Sequence, residues 1–290
     1  MAGTLAAIFS IFVIRKVGKV PTEKEALKIF VRTVRAYFKK NGRTLPWRDT
    51  TDPYHILVSE LMLQQTQVER VIPKYHLFLK TFPTLEKLAH APLGDVLRVW
   101  VGLGYNRRAK LLHACAQEII TSHKGVFPET YESLLRLPGI GPYTAGALLA
   151  FAFNTPHTII ETNIRAVFIY HFFPGKEKVP DAALLPLIER TLDTKNPRIW
   201  YAMLMDYGSW IKKEYGNPNR KSAHHSVQKK FEGSVRQIRG AVLRFVSEKS
   251  CTTKSLALKA SVSHDRLNQV LQELCEEGLI IKKRSVWELP

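Results

Sequence analysis

The sequence predicts an all-α protein that ends in a small winged-helix-like unit. Two observations carry that expectation. From about Pro53 to Phe173, amphipathic stretches a few helical turns long alternate with Pro/Gly breaks ("KTFPT", "HAPLGD", "KGVFPET", "LPGIGP"), and strand-like alternation is nearly absent. After a basic, breaker-rich stretch at 212–234, "SLALKA", the polar turn "SVSH", the helical "DRLNQVLQELCEEG" and the strand-like "LIIKKRSVWEL" follow in the order helix, turn, helix, wing.

Taken in order, the chain opens with "AGTLAAIFSIFVI" at 2–14, apolar but too short to span a bilayer as a helix, and followed rather than preceded by Arg15 and Lys16. Residues 1–20 therefore read as an apolar N-terminal extension and not as an anchor. Residues 24–40 carry Ala26, Leu27, Phe30, Val31, Val34 and Phe38 near helical spacing, closed by the breaker "NGR". "LPWRDTTDPY" is a loop. Residues 52–75 read as one helix with Ile56, Leu57, Leu61, Val68 and Ile72 inward.

Charge narrows the function classes. Lys plus Arg number 43 against 25 Asp plus Glu, a formal +18, far beyond what solubility requires. Such a field attracts polyanions, nucleic acid above all, and its spread along the chain disfavours a membrane surface. Cys115, Cys251 and Cys275 are too few and too scattered for a disulfide framework or a four-thiolate cluster, and a reducing compartment fits them.

Three stretches carry chemistry. In "LPGIGPYTAGALLAFAF" (137–153), Gly139 and Gly141 allow a tight hairpin whose N–H groups converge, and Pro142 sits where a helix would start. That is the helix–hairpin–helix device for holding a DNA phosphate; a monovalent cation at the Gly139–Gly141 hairpin stays open. In "VGLGYNRRAK" (101–110), Tyr105 stands at the tip of a glycine turn with Arg107, Arg108 and Lys110 behind it, a pairing suited to stacking on bases. In the 52–75 helix, Gln64 and Gln65 are amides suited to base edges. Glu60 lies among apolar residues, where it is either the exposed member or a carboxyl whose pKa an apolar pocket raises. A fourth stretch, "IIETNIRAV" (159–167), sets Glu161, Asn163 and Arg165 into an otherwise apolar run.

The ordered set "LPWR", "DPY…SELMLQQTQVERVIPKY…F…FPTLEKLA", "W.GLGY..RA..L", "FPET", "LPGIGPYTAGA" and "NIRAV" resembles the MutY-type adenine DNA glycosylases of the helix–hairpin–helix (endonuclease III-like) superfamily, from about residue 44 to 210. The resemblance implies a two-lobed all-helical fold that grips DNA between lobes, flips out a nucleotide and hydrolyses its N-glycosidic bond. It implies a six-helix lobe at about 50–155 and a second lobe from 21–49 plus 156–232; the winged-helix-like unit at 234–290, read from its own pattern, stands as a separate domain. Glu60 matches the glutamate that protonates the departing adenine, and Asn163 an active-site asparagine. Tyr143 falls where bifunctional relatives carry a Schiff-base lysine, so no β-lyase step is expected. Gln65 and Tyr105 match residues that enter the duplex, and Arg48, Leu63, Gln64, Arg107, Gly139 and Gly141 complete the expected DNA contacts.

The departures are specific. Glu161 stands where the family has a catalytic aspartate; a carboxylate there would stabilise positive charge developing on the sugar. After "MLMDYGSW" (203–210) most relatives place four cluster-binding cysteines, and this chain has none through residue 250, so it resembles the minority without an iron–sulfur cluster and no cofactor is expected. His224 and His225 are adjacent and make a poor metal site. The family's 8-oxoguanine-reading C-terminal domain is absent. The expectation is a monomeric, cytoplasmic, nucleoid-associated glycosylase acting on double-stranded DNA, most simply on adenine opposite guanine or 8-oxoguanine. Excision of thymine or a deaminated base opposite guanine stays open, as does a DNA-binding protein without chemistry.

Overall fold

The computed structural model describes residues 22–227 and 230–290. The apolar run at 2–14 lies outside them. The helices are α1 (Glu23–Asn41), α2 (Pro53–Leu63), α3 (Val68–Thr81), α4 (Leu85–Ala89), α5 (Leu93–Trp100), α6 (Arg107–His123), α7 (Tyr131–Leu135), α8 (Pro142–Phe151), α9 (Thr162–Phe172), α10 (Asp181–Thr191), α11 (Pro197–Glu214), α12 (Val235–Glu248), α13 (Thr253–Ala260) and α14 (His264–Glu276). The strands β1 (Cys251–Thr252), β2 (Ile281–Lys283) and β3 (Val286–Glu288) form one antiparallel sheet in the order β1-β3-β2, with Trp287 paired to both Cys251 and Lys282. The all-α expectation with a C-terminal helix–turn–helix and wing describes this chain.

Contacts divide the molecule into two compact units, residues 46–145 with 230–290, and residues 22–45 with 146–227. The first boundary falls at 45/46 because Trp47 is buried and packs edge-on against Tyr75, ring centroids 5.6 Å apart. The second falls inside α8, at 145/146. The C-terminal segment clusters with residues 46–145: Lys110 Nζ donates to the Glu277 carbonyl at 2.6 Å and Arg98 Nε to the Ser247 carbonyl at 3.1 Å.

In that unit α2 is the central element. Asp52 caps it, its carboxylate accepting from Tyr54 N at 2.8 Å, and Pro53 occupies the first turn where a missing N–H costs nothing. Ile56, Leu57, Val58, Ser59, Glu60, Leu61 and Met62 are all buried, so the helix is enclosed on every side rather than one-faced. The helix expected to run through 52–75 is broken: α2 ends at Leu63, Gln65 adopts φ +54°, and α3 begins at Val68. The physical cause is Arg108, whose guanidinium takes the carbonyls of Leu61 (2.7 Å), Met62 (2.9 Å) and Gln64. Those are the groups that a helix end leaves without partners.

In the other unit, Thr22 and Glu25 form a capping box at the start of α1. Phe30 of α1 packs against Phe168, Phe172 and Trp200 at centroid distances of 5.0, 5.1 and 6.3 Å. Helices α9 and α11 cross at Gly208, where a Cβ would lie 2.3 Å from the Asn163 carbonyl oxygen. Only glycine permits that approach. The segment after α11 is tied down without cysteine: Asn219 Nδ2 donates to the Thr162 carbonyl at 2.8 Å, and Val179 bridges to Lys221 and Ala223 at 2.8 and 2.9 Å.

Candidate functional site

Glu161 is the N-cap of α9. Its Oε1 accepts from the backbone N–H of Asn163 (2.7 Å) and Ile164 (2.8 Å), and its Oε2 from Asn163 Nδ2 and Thr162 Oγ1, both at 3.1 Å. Four donors thus hold the carboxylate at the positive end of a helix, and Glu161 and Asn163 form one cluster. A longer side chain than the usual Asp, Asn or Ser cap can curl back in this way, so the extra methylene is absorbed locally. Lys212 on α11, which no motif in the sequence singles out, interacts with this carboxylate. Its ammonium is held below the usual lysine range by burial, with the Glu161 charge pulling it back up. The approach of α11 at Gly208 brings that helix to the cap; the only trace in the sequence is a glycine inside a helical pattern.

Glu60 and Tyr143 lie in the other unit. Glu60 is 6% exposed, buried in the body of α2, which decides between the exposed and enclosed readings of its place in the helix. Tyr143 is half-buried at the start of α8, just after the hairpin. At that hairpin Gly139 has φ +77° and a Cβ there would sit 2.7 Å from Leu111 Cβ, whereas a Cβ at Gly141 would meet nothing within 4 Å. The two glycines therefore separate. Gly139→Val is expected to lower the melting temperature and duplex affinity together, through left-handed strain and the clash. Gly141→Val should leave the melting temperature unchanged and weaken only DNA binding, by obstructing the N–H groups. Thermal unfolding and fluorescence anisotropy check both; equal melting losses would contradict the assignment.

Gln65 and Tyr105 both adopt left-handed backbone, φ +54° and +46°. Non-glycine residues are held there only where the surroundings over-determine them. Arg108 supplies that constraint to both loops at once: besides the α2 carbonyls it donates to Thr66 Oγ1 at 3.1 Å and to the Gly104 carbonyl at 2.9 Å. Burial pushes its pKa down to about 10, against an opposing pull from Tyr105. In sequence Arg108 belongs with the cations behind Tyr105, but it is 6% exposed and acts as an internal staple. Its spacing held the signal, since Arg108, Leu112, Cys115 and Ile119 share one buried helical face. Arg107, by contrast, is exposed. Gln64, Gln65, Tyr105 and Arg107 line one groove of about 1260 Å³. Arg48 is half-buried in the turn Pro46–Arg48 and Leu63 half-buried at the end of α2; neither lines that groove.

The thiols do not suit a cluster. Cys115 is buried in α6, Cys251 in β1, and Cys275 lies on α14, so three sulfurs sit on three elements where an iron–sulfur cluster takes four. Among the described residues no group of three or more His, Cys, Asp or Glu converges as a metal site, and no helix is long and apolar enough to cross a membrane.

Residues 58–186 match the HhH-GPD superfamily of base excision DNA repair proteins. The chain is 38% identical over 185 residues to a protein of Buchnera aphidicola (subsp. Baizongia pistaciae) named adenine DNA glycosylase, which covers 63% of this chain and 53% of the relative. It is 31% identical over 277 residues to the adenine DNA glycosylase of Mycobacterium tuberculosis, with 85% of this chain and 88% of the relative covered. The chain thus spans about half the length of the Buchnera relative and most of the mycobacterial one. A solved thermostable thymine-DNA glycosylase is similar over 68% of this chain and 93% of its own, at TM-score 0.59 and 26% identity.

Proposed function

Because the chain belongs to the MutY-type adenine DNA glycosylases of the HhH-GPD superfamily, we propose that it is a monofunctional DNA glycosylase of base excision repair, acting on adenine opposite guanine or 8-oxoguanine. The observation that carries the reading is the enclosed carboxyl of Glu60 at the position where the family has its acid. In this reading Glu60 gives its proton to the departing purine as the bond from the sugar C1′ to the base nitrogen breaks, with the bonding pair leaving on the base. The Glu161 carboxylate, fixed by its four donors, stabilises the cationic sugar until water adds at C1′ and passes its proton to Glu60, which restores the acid. Tyr143 has no amine, so the product is an intact strand with an abasic site.

The deciding experiment is a panel of labelled duplexes containing A·G, A·8-oxoguanine, T·G and U·G pairs, treated with alkali after incubation. Cleavage at adenine supports the proposal. Cleavage at thymine or uracil alone would move the activity to the alternative that the thymine-DNA glycosylase likeness favours, and cleavage nowhere would leave a DNA-binding protein without chemistry. The same reactions with borohydride should trap no covalent adduct. If one forms, Lys212 is the first amine to replace, since it interacts with the Glu161 carboxylate.

We also propose that the enzyme works without an iron–sulfur cluster. The purified protein should be colourless, with no stoichiometric iron by elemental analysis and excision unaffected by chelator. About four irons per chain with absorbance near ~400 nm would contradict this, since thiolates are the usual ligands.

A further inference from the structure

The C-terminal unit carries the outline of a DNA-reading helix–turn–helix, yet its second helix is built wrongly for that task. Helix α14, "HDRLNQVLQELCE", holds three acids and one cation, and Asp265, Asn268, Gln269, Gln272 and Glu276 are exposed on it. A helix entering the major groove passes between two phosphate strands, where such a face is repelled. Its single cation, Arg266, turns away to donate to the Gly233 carbonyl.

The positive charge lies elsewhere in the same unit. Outside α14 this unit sets Arg236, Arg239, Arg244 and Lys259 into the lining of the groove of about 1260 Å³, against one acid, Glu277. Glu277 is already neutralised by Arg239 at 2.6 Å. Arg244 on α12 and Lys259 on α13 are exposed at the groove, both within 5.0 Å of the Phe245 ring centroid, which spaces them without discharging them. At the other end Arg236 donates to the Tyr105 hydroxyl at 3.0 Å, so the basic lining runs on directly from the Tyr105 turn. Tyr105 and Gln65 line that same groove.

We infer that the C-terminal unit binds the sugar–phosphate backbone of the substrate duplex through this groove, with Arg244 and Lys259 of α12 and α13 as phosphate ligands, and that α14 does not read bases. The grip is sequence-independent: it lengthens the phosphate track beyond the Gln65 and Tyr105 turns. This inference rests on the proposal that the protein acts on duplex DNA.

The test uses the full chain and an unmodified fluorescent duplex, so that no base need be removed. Arg244→Glu with Lys259→Glu should weaken affinity about tenfold or more at low salt and flatten the dependence of log affinity on log salt by about two, one for each phosphate released. Arg244→Ala with Lys259→Ala, the milder pair, should show the same flattening even if the glutamate pair folds poorly. Asn268→Ala with Gln272→Ala on α14 should leave affinity and salt slope unchanged. Unchanged binding in the folded groove variants would overturn the inference, as would loss of binding in the α14 pair. Failure of the wild type to excise any base would sink the proposed activity and leave these binding results standing; normal binding in the groove variants would do the reverse.

Discussion

Glu161→Gln is expected to slow single-turnover base excision by about two to three orders of magnitude while leaving duplex affinity at or above wild type. The substitution is close to isosteric, and the new carbonyl oxygen can still accept from the N–H groups of Asn163 and Ile164 that Glu161 Oε1 now holds. What disappears is the negative charge, which matters only when the sugar becomes cationic. The cap itself accounts for a modest stability loss, about 1 kcal/mol or less with the helix still capped. A structural role alone would therefore shift the melting temperature and spare the rate, whereas the catalytic role does the opposite. Glu161→Asp separates geometry from charge, because aspartate is also a good N-cap. Retained excision would show that the site accepts the shorter carboxylate; loss with an unchanged melting temperature would show a pocket shaped around glutamate. Quenched single-turnover assays with thermal unfolding measure both quantities, and wild-type rates in Glu161→Gln would reduce Glu161 to a cap.

Glu60→Gln should be slower still to recover, with excision reduced about 10²- to 10⁴-fold for want of the acid. The amide fits the same enclosed place in α2, so folding and DNA affinity should persist. The defect has a chemical signature. A substrate whose purine already carries a positive charge through N7-alkylation leaves without a proton, and it should be excised by Glu60→Gln at close to the wild-type rate. A uniform loss on both substrates would mean that Glu60 positions the nucleotide or the helix instead of donating the proton.

The parts of the fold legible in the sequence were those with strong punctuation. The first long helix, read as 24–40, spans Glu23–Asn41, because Thr22 and Glu25 cap it and "NGR" closes it. The C-terminal helix–turn–helix and wing also follow their pattern. The break between α2 and α3 was not legible, since "QQTQ" contains neither Gly nor Pro; a guanidinium distant in sequence terminates the helix there. The burial of Glu60 was equally undetermined, because a helix enclosed on all sides and a one-faced helix with one exposed acid share the same string. Glu161 shows as a polar interruption before α9, but glutamate is an uncommon cap and its four donors converge only in the folded chain. The destination of the basic residues was least visible. Arg107 and Arg108 are neighbours with opposite fates, one in solvent and one holding two loops.

The most direct single measurement is the mass of both products from an A·8-oxoguanine duplex incubated with excess wild-type protein in the presence of chelator. Free adenine should be released in step with an otherwise intact strand that has lost adenine and gained water, and that strand should break only on alkali treatment. Release of no base while the duplex is fully bound, or a strand broken without alkali, would contradict the account.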